Sequence, residues 1–213
     1  MSEAAYFNTR FTVDDKRNKM WQVIAAYLQR YIDMDAKVVD IGAGYCSFIN
    51  NIECKEKYAV DAFPDFVTWA KTGVKAHVAA SYDMPFLESG YFDVVFSSNL
   101  LEHLTYEELG GTFKEIKRIL KKNGKVILIG PNYKYCYRDY YDDYTHKTPL
   151  SHVGVSDWLR SLNFEIERCS PRFLPFSFKT ILPKMKILVW LYLRFPIKVM
   201  GKQMLVIARK TGG

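Results

Sequence analysis

The sequence predicts an α/β protein built on an open, mostly parallel sheet covered on both faces. Three observations carry this. Short apolar runs ("AKVVDIG", "KYAVDAF", "FDVVFSS", "KVILIG") recur along the chain, and segments of helical periodicity alternate with them. The first run is β-branched and leads into a turn with glycines at 42 and 44. No repeat, low-complexity tract or linker-like stretch interrupts the 213 residues, so one domain over 1–213 is the simplest organisation.

The elements follow in order. Met20, Trp21, Ile24, Tyr27, Leu28 and Tyr31 recur at helical spacing, which predicts an amphipathic helix over about 13–32, with Thr12 and Asp15 as a capping pair. Strands are expected at "AKVVDIG", "KYAVDAF" and "FDVVFSS". "TYEELGGTFKEIKRIL" reads as a helix opened by a Thr105-x-x-Glu108 capping box, weakened in the middle by Gly110 and Gly111. "KKNG" reads as its end, and "KVILIG" as an apolar strand. "VSDWLRSLNF" is a short helix, "FEIERC" a strand and "KQMLVIARK" a last strand. In sheets of this kind ligands bind outside the carboxyl ends of the strands, so the turns after residues 41, 61, 98 and 130 should face one site.

Charge is unevenly spread. Residues 1–167 carry 20 Lys+Arg against 23 Asp+Glu, whereas residues 168–213 carry 10 Lys+Arg and no acid, within an overall charge of +7. A wholly basic, aromatic C-terminal stretch points to an anionic partner: a phospholipid surface, a phosphorylated substrate or RNA. The N-terminus (MSEAAYFNTR) lacks the apolar stretch of a signal peptide. Four cysteines without a CxxC pair read as free thiols of a reducing compartment. The expected location is therefore the cytoplasm.

The glycine turn has two readings, a tight exit from a buried strand or a close backbone approach to a ligand. Asp61 ends the second strand about 20 residues after the turn, where an acid can hydrogen-bond ribose hydroxyls. The dinucleotide fingerprint G-x-G-x-x-G fails, because Ser47 stands in the third glycine's place. With "FDVVFSSNLLEHL" and "LKKNGKVIL", the Asp40-Ile41-Gly42-Ala43-Gly44 stretch and Asp61 resemble the class I S-adenosylmethionine-dependent methyltransferases, in their small-molecule type 11 branch. That resemblance implies a Rossmann-like, doubly wound sheet of seven strands with an antiparallel last strand. It implies S-adenosylmethionine as cofactor, with Asp40, Gly42, Ala43 and Gly44 around its methionine portion, Asp61 and Ala62 at the ribose and Asn99 beside the sulfonium. Where many relatives carry an acid for the adenine amine, this chain has "VAASYDMPF", leaving Ser81 or Asp83 for that place.

Methyl transfer from a sulfonium is an in-line displacement in which the protein mainly positions the acceptor and excludes water. An oxygen acceptor often also needs a base. His103 follows the third predicted strand, and His146 lies in the long loop after "KVILIG" beside Asp142 and Asp143. His146, His103 and Asp143 are the catalytic candidates, with His146 first for its neighbouring carboxylates. Tyr133, Tyr137, Tyr140 and Tyr141 read as an acceptor-binding wall. Asp142, Asp143 and His146 lack a recognisable ligand spacing, so no metal site is expected.

The resemblance also places the connection between the last two strands at the cofactor edge. Residues of about 172–200 would form a helical, lid-like insertion, basic and aromatic enough to lie against an anionic membrane, at the inner face. Its apolar run is too short to span a bilayer. The sequence thus reads as a methyltransferase for a small or lipid-linked acceptor, most simply at oxygen. The rivals are an RNA methyltransferase, for which no appended RNA-binding motif is present, and a catalytically silent binding module that keeps the cofactor fold.

Overall fold

Five parallel strands form the spine. β1 (Lys37–Ile41) lies between β2 (Glu56–Asp61) and β4 (Phe92–Ser98), with β3 (Val74–Val78) beyond β2 and β5 (Leu120–Pro131) beyond β4. The computed structural model describes residues 15–175, 186–195, 198 and 200–212. Among these, seven strands make one sheet in the order β3-β2-β1-β4-β5-β7-β6. β7 (Gln203–Lys210) runs antiparallel to both β5 and β6 (Phe164–Leu174) and is the reversed strand that was expected. β6 therefore points the same way as β5, and its residues 170–174 reach the same edge as the ends of β1, β2 and β4.

Alternation along the strands supplies both faces. Val38 packs on one side with Met20, Trp21, Ile24 and Leu28 of α1 (Asp15–Leu28), while Val39 and Ile41 pack on the other with Leu109, Phe113 and Ile116 of α2 (Tyr106–Ile119). Each such fully buried apolar side chain contributes about 1.5–3 kcal/mol. The Thr105 capping box forms: its hydroxyl accepts the Glu108 N–H and the Glu108 carboxylate accepts the Thr105 N–H. A short α3 (Tyr133–Cys136) and then α4 (His152–Ser161) follow β5, and α4 covers the same face as α2. The Thr12 cap lies outside the described residues.

Several local features differ from the sequence reading. β3 was not anticipated, since "VKAHV" buries little and lacks an apolar run. The β1–β2 and β2–β3 connections carry only 3₁₀ turns, at Ile49–Asn51 and Pro64–Trp69. "KKNG" does not end a helix outside the sheet. Leu120 is already paired with Phe92, and the irregularity before Val94↔Lys125 is absorbed where Asn123 takes φ 65°. Asparagine tolerates that left-handed conformation better than most residues. β6 also runs on to Leu174, well past "FEIERC".

Within the proposed 172–200 insertion, α5 (Lys186–Arg194) is helical, and Val189 and Leu193 pack into the same cluster as α1. The segment's first residues, to Leu174, belong to β6 instead of the insertion, and its residues 176–185, 196–197 and 199 lie outside the described residues. No helix among the described residues is long and apolar enough to cross a membrane.

Candidate active site

The carboxyl edge of the sheet gathers the turns after residues 41, 61, 98 and 130. In the first, Gly42 and Gly44 take φ 72° and 49°, and Cys46 follows at 54°. The Gly42 and Ala43 N–H groups both donate to the Val60 carbonyl, at 2.8 and 3.1 Å. A Cβ on Gly42 would stand 2.9 Å from Leu100 Cβ, so this position needs glycine for conformation and for packing alike. Asp61 joins the turn to β2, its Oδ2 accepting the Gly44 N–H at 2.8 Å and its Oδ1 the Phe63 N–H at 2.9 Å.

Asp40 lies beneath this turn, buried. Burial and the neighbouring Asp61 charge push its carboxyl well above the usual range, against the opposing hydrogen bond from the Ile49 backbone. Burial likewise pushes the Cys46 thiol up to about 12, which leaves it an inert core group. Ala62 and Asp83 are exposed, whereas Ser81 is buried. The Thr112 hydroxyl donates to the Glu108 carbonyl, so Ser81 Oγ, 2.8 Å away, must donate to Thr112; it pins the loop after β3 onto α2. Asn99 takes φ 52°, gives its N–H to the Ile129 carbonyl and accepts from Gln203 Nε2 at 3.0 Å.

Just beyond Asn99 a second cluster forms from distant segments. His103 and His146 face each other with ring centroids 4.9 Å apart. Asp143 joins them through Thr145, whose hydroxyl donates to Asp143 Oδ1 at 2.6 Å and lies 3.0 Å from His103 Nδ1. His146 Nδ1 lies 2.6 Å from the Tyr140 carbonyl. Tyr140 itself is fully buried with its hydroxyl on the Thr148 carbonyl, so it anchors the loop. Tyr137 and Tyr141 are exposed. The three catalytic candidates of the sequence are thus brought together.

Sequence reasoning missed Glu102. Its side chain is 3% exposed, its Oε1 stands 4.0 Å from His103 Nε2, and burial pushes its carboxyl up to about 8. Burial and His146 push His103 down to about 4. Burial also pushes Asp143 up, but the hydroxyl and N–H of Thr145 outweigh it and hold it below its ordinary value. The available signal was an acid directly before a histidine in the otherwise apolar "NLLEHL".

A cavity of about 610 Å³ opens farther along this edge, at the end of β6. Arg30, Arg168, Arg172, Arg194 and Lys198 line it together with Tyr27, Tyr135 and Phe195, and no acidic side chain does. Asn132 connects the two regions, giving Nδ2–H to the Pro171 carbonyl and lying 2.9 Å from His152 Nδ1. Burial, then Arg168, pushes Lys198 down to about 8.

Residues 39–128 match the model of a family described as a methyltransferase domain. No curated protein matches the chain. Among solved structures, an S-adenosylmethionine-dependent methyltransferase from Archaeoglobus fulgidus is 21% identical with TM-score 0.65, over 98% of this chain and 100% of that one. A protein from Pyrococcus horikoshii is 18% identical with TM-score 0.68, over 97% and 98%. An S-adenosylmethionine-dependent methyltransferase from Mesorhizobium loti is 15% identical with TM-score 0.63, over 86% and 96%. At these identities the likeness to the solved structures is one of fold.

Proposed function

We propose that this chain, a class I S-adenosylmethionine-dependent methyltransferase, methylates an oxygen of a small or lipid-linked acceptor that carries negative charge. The observation that carries the charge is the cavity at the end of β6, lined by five basic side chains and aromatic rings without an acid. Such a lining suits phosphate or carboxylate groups beside an apolar or sugar body.

The turn after β1 fits the cofactor. It has backbone and no side chain at Gly42 and Gly44, and the Asp61 carboxylate beside it has oxygens that can each accept more than one hydrogen bond. Asp40, Gly42, Ala43 and Gly44 would surround the methionine portion, Asp61 and Ala62 the ribose, Ser81 or Asp83 the adenine, and Asn99 the methyl end. When bound, S-adenosylmethionine supplies the methyl group and the leaving sulfur of an in-line displacement.

The protein's own part is to hold the acceptor oxygen in line and to help remove its proton. His103 and His146 are the groups for that proton, and Asp143 positions His103 through Thr145. The location that goes with this reading is the cytoplasm, with segment 172–200 against the inner face of an anionic membrane. The test is transfer of radiolabelled methyl to a panel of sugar phosphates, lipid-linked sugar phosphates, neutral sugars and RNA. Label in the first two groups is expected. Label confined to neutral sugars or to RNA would overturn the anionic small-acceptor reading.

A further inference from the structure

We propose that Glu102, His103 and His146 bind one divalent first-row transition-metal ion. One carboxylate oxygen of Glu102 and one ring nitrogen of each histidine lie within 4.8 Å of one another, on segments 43 residues apart.

The hydrogen bonds around the rings fix which nitrogen is offered. The Thr145 hydroxyl spends its single proton on Asp143, so toward His103 it can only accept, and His103 Nδ1 must carry hydrogen. The Tyr140 carbonyl has no proton to give, so His146 Nδ1 carries hydrogen as well. A neutral ring held in this way keeps its lone pair on Nε2. For His103 that atom is the one 4.0 Å from Glu102 Oε1. Metal-bound imidazoles are oriented in this way, their second N–H held by a carbonyl or by a group relayed to a carboxylate.

One possible ligand atom from each of Glu102, His103 and His146 lies in this small space, at a carboxyl only 3% exposed. Ligands at about 2.0–2.2 Å from a tetrahedral ion are roughly 3.4 Å apart, so the three atoms need to close by about an ångström or less on average, within the reach of side-chain rotation. Two imidazoles and one carboxylate suit Zn²⁺, Mn²⁺, Fe²⁺ or Co²⁺ better than Mg²⁺ or Ca²⁺. Three protein ligands leave coordination positions for an acceptor oxygen, whose proton a metal makes easier to remove; with the ion bound, both histidines act on that proton through the ion and no longer as bases. That role rests on the oxygen-acceptor reading above; the binding of the ion does not.

The test is titration of the metal-stripped, untagged protein with Co²⁺ alone, followed by visible absorption, with metal analysis after dialysis against Zn²⁺ or Mn²⁺. One equivalent is expected, with d–d bands of nitrogen and oxygen ligation and no thiolate charge transfer. His146→Gln and Glu102→Gln should each weaken binding at least tenfold, and Thr145→Val, which touches no metal, by about tenfold. Thermal melting of each variant separates loss of a ligand from loss of fold, and the half-buried His103→Gln serves if the buried variants do not fold. Absence of stoichiometric binding, thiolate bands, or unchanged affinity in the folded variants would overturn the proposal. No acceptor is present in this titration, so its outcome stands apart from the acceptor assignment.

Discussion

The two halves of the carboxyl edge are built from different materials. The half after β1 and β2 is made of backbone: Gly42, Gly44 and the N–H groups that Asp61 gathers lie within 22 residues of one another. The half beyond β4 and β5 is made of side chains, with Glu102, His103, Asp143 and His146 brought together by Thr145 and by the Tyr140 carbonyl. A backbone cradle is a generic device that suits one invariant ligand, whereas converging side chains can be re-chosen to suit an acceptor. Mutations should therefore separate the two halves.

The largest expected effect is on the backbone half. Valine at Gly44 would be strained at φ 49°, by about 1–3 kcal/mol, and would confuse fold with binding. Gly44→Asn keeps the left-handed conformation accessible, so melting should stay near wild type. Affinity for S-adenosylmethionine should fall by roughly 100-fold, about 2.7 kcal/mol, because a side chain then fills the approach. Normal binding by this variant in calorimetry would show that the glycine serves the turn alone.

Next is Asp61→Ala, which removes a charged acceptor from the expected ribose contact. Cofactor affinity should drop by about 1.5–3 kcal/mol, with part of the loss coming from the freed Gly44 and Phe63 N–H groups. Equal affinity in mutant and wild type would detach Asp61 from the cofactor.

The cavity at the end of β6 should respond to pH. Lys198 faces Arg168, the rings of Tyr27, Phe173 and Tyr192, and the Leu193 carbonyl. Its folded pKa lies near 8, so the charge is present at pH 7 and is lost as pH rises through about 8. Inorganic phosphate or a sugar phosphate should bind several-fold more weakly at pH 9 than at pH 7, with the cofactor affinity unaffected. A flat profile between those values, or one that Lys198→Met leaves unaltered, would remove Lys198 from the site.

The smallest effect lies away from both halves. Thr105→Ala deletes one side of the capping box at the start of α2 and should cost about 1 kcal/mol, a fall of roughly 2–4 °C in Tm. Cofactor binding and methyl transfer should not change. A loss of transfer at unchanged Tm would mean that the loop carrying His103 depends on this cap.

The same contrast explains what could be read from the sequence. The glycine turn, Asp61 and the Thr105 box are local patterns whose spacing carries their geometry, and the mostly parallel sheet followed from apolar runs alternating with helical segments. β3 was hidden because "VKAHV" is a largely exposed strand beside β2, with no hydrophobic period to mark it. Glu102 was hidden because burial of an acid is a tertiary fact: it arises only when the loop of Asp143 and His146 folds over "NLLEHL". The grouping of Arg30 with Arg168 and Arg194 likewise joins the 3₁₀ turn Gln29–Tyr31 after α1 to β6 and α5, which no local spacing records.

The proposed division between a backbone half that holds the donor and a side-chain half that acts on the acceptor is tested most directly by one variant measured twice. His146→Gln would be assayed for S-adenosylmethionine binding by calorimetry and for methyl transfer to the acceptor found in the labelled screen. Cofactor affinity is expected within about twofold of wild type, with transfer reduced by roughly 100-fold or more. Transfer at the wild-type rate, or a parallel loss of cofactor binding in a protein that still melts cooperatively, would contradict the account.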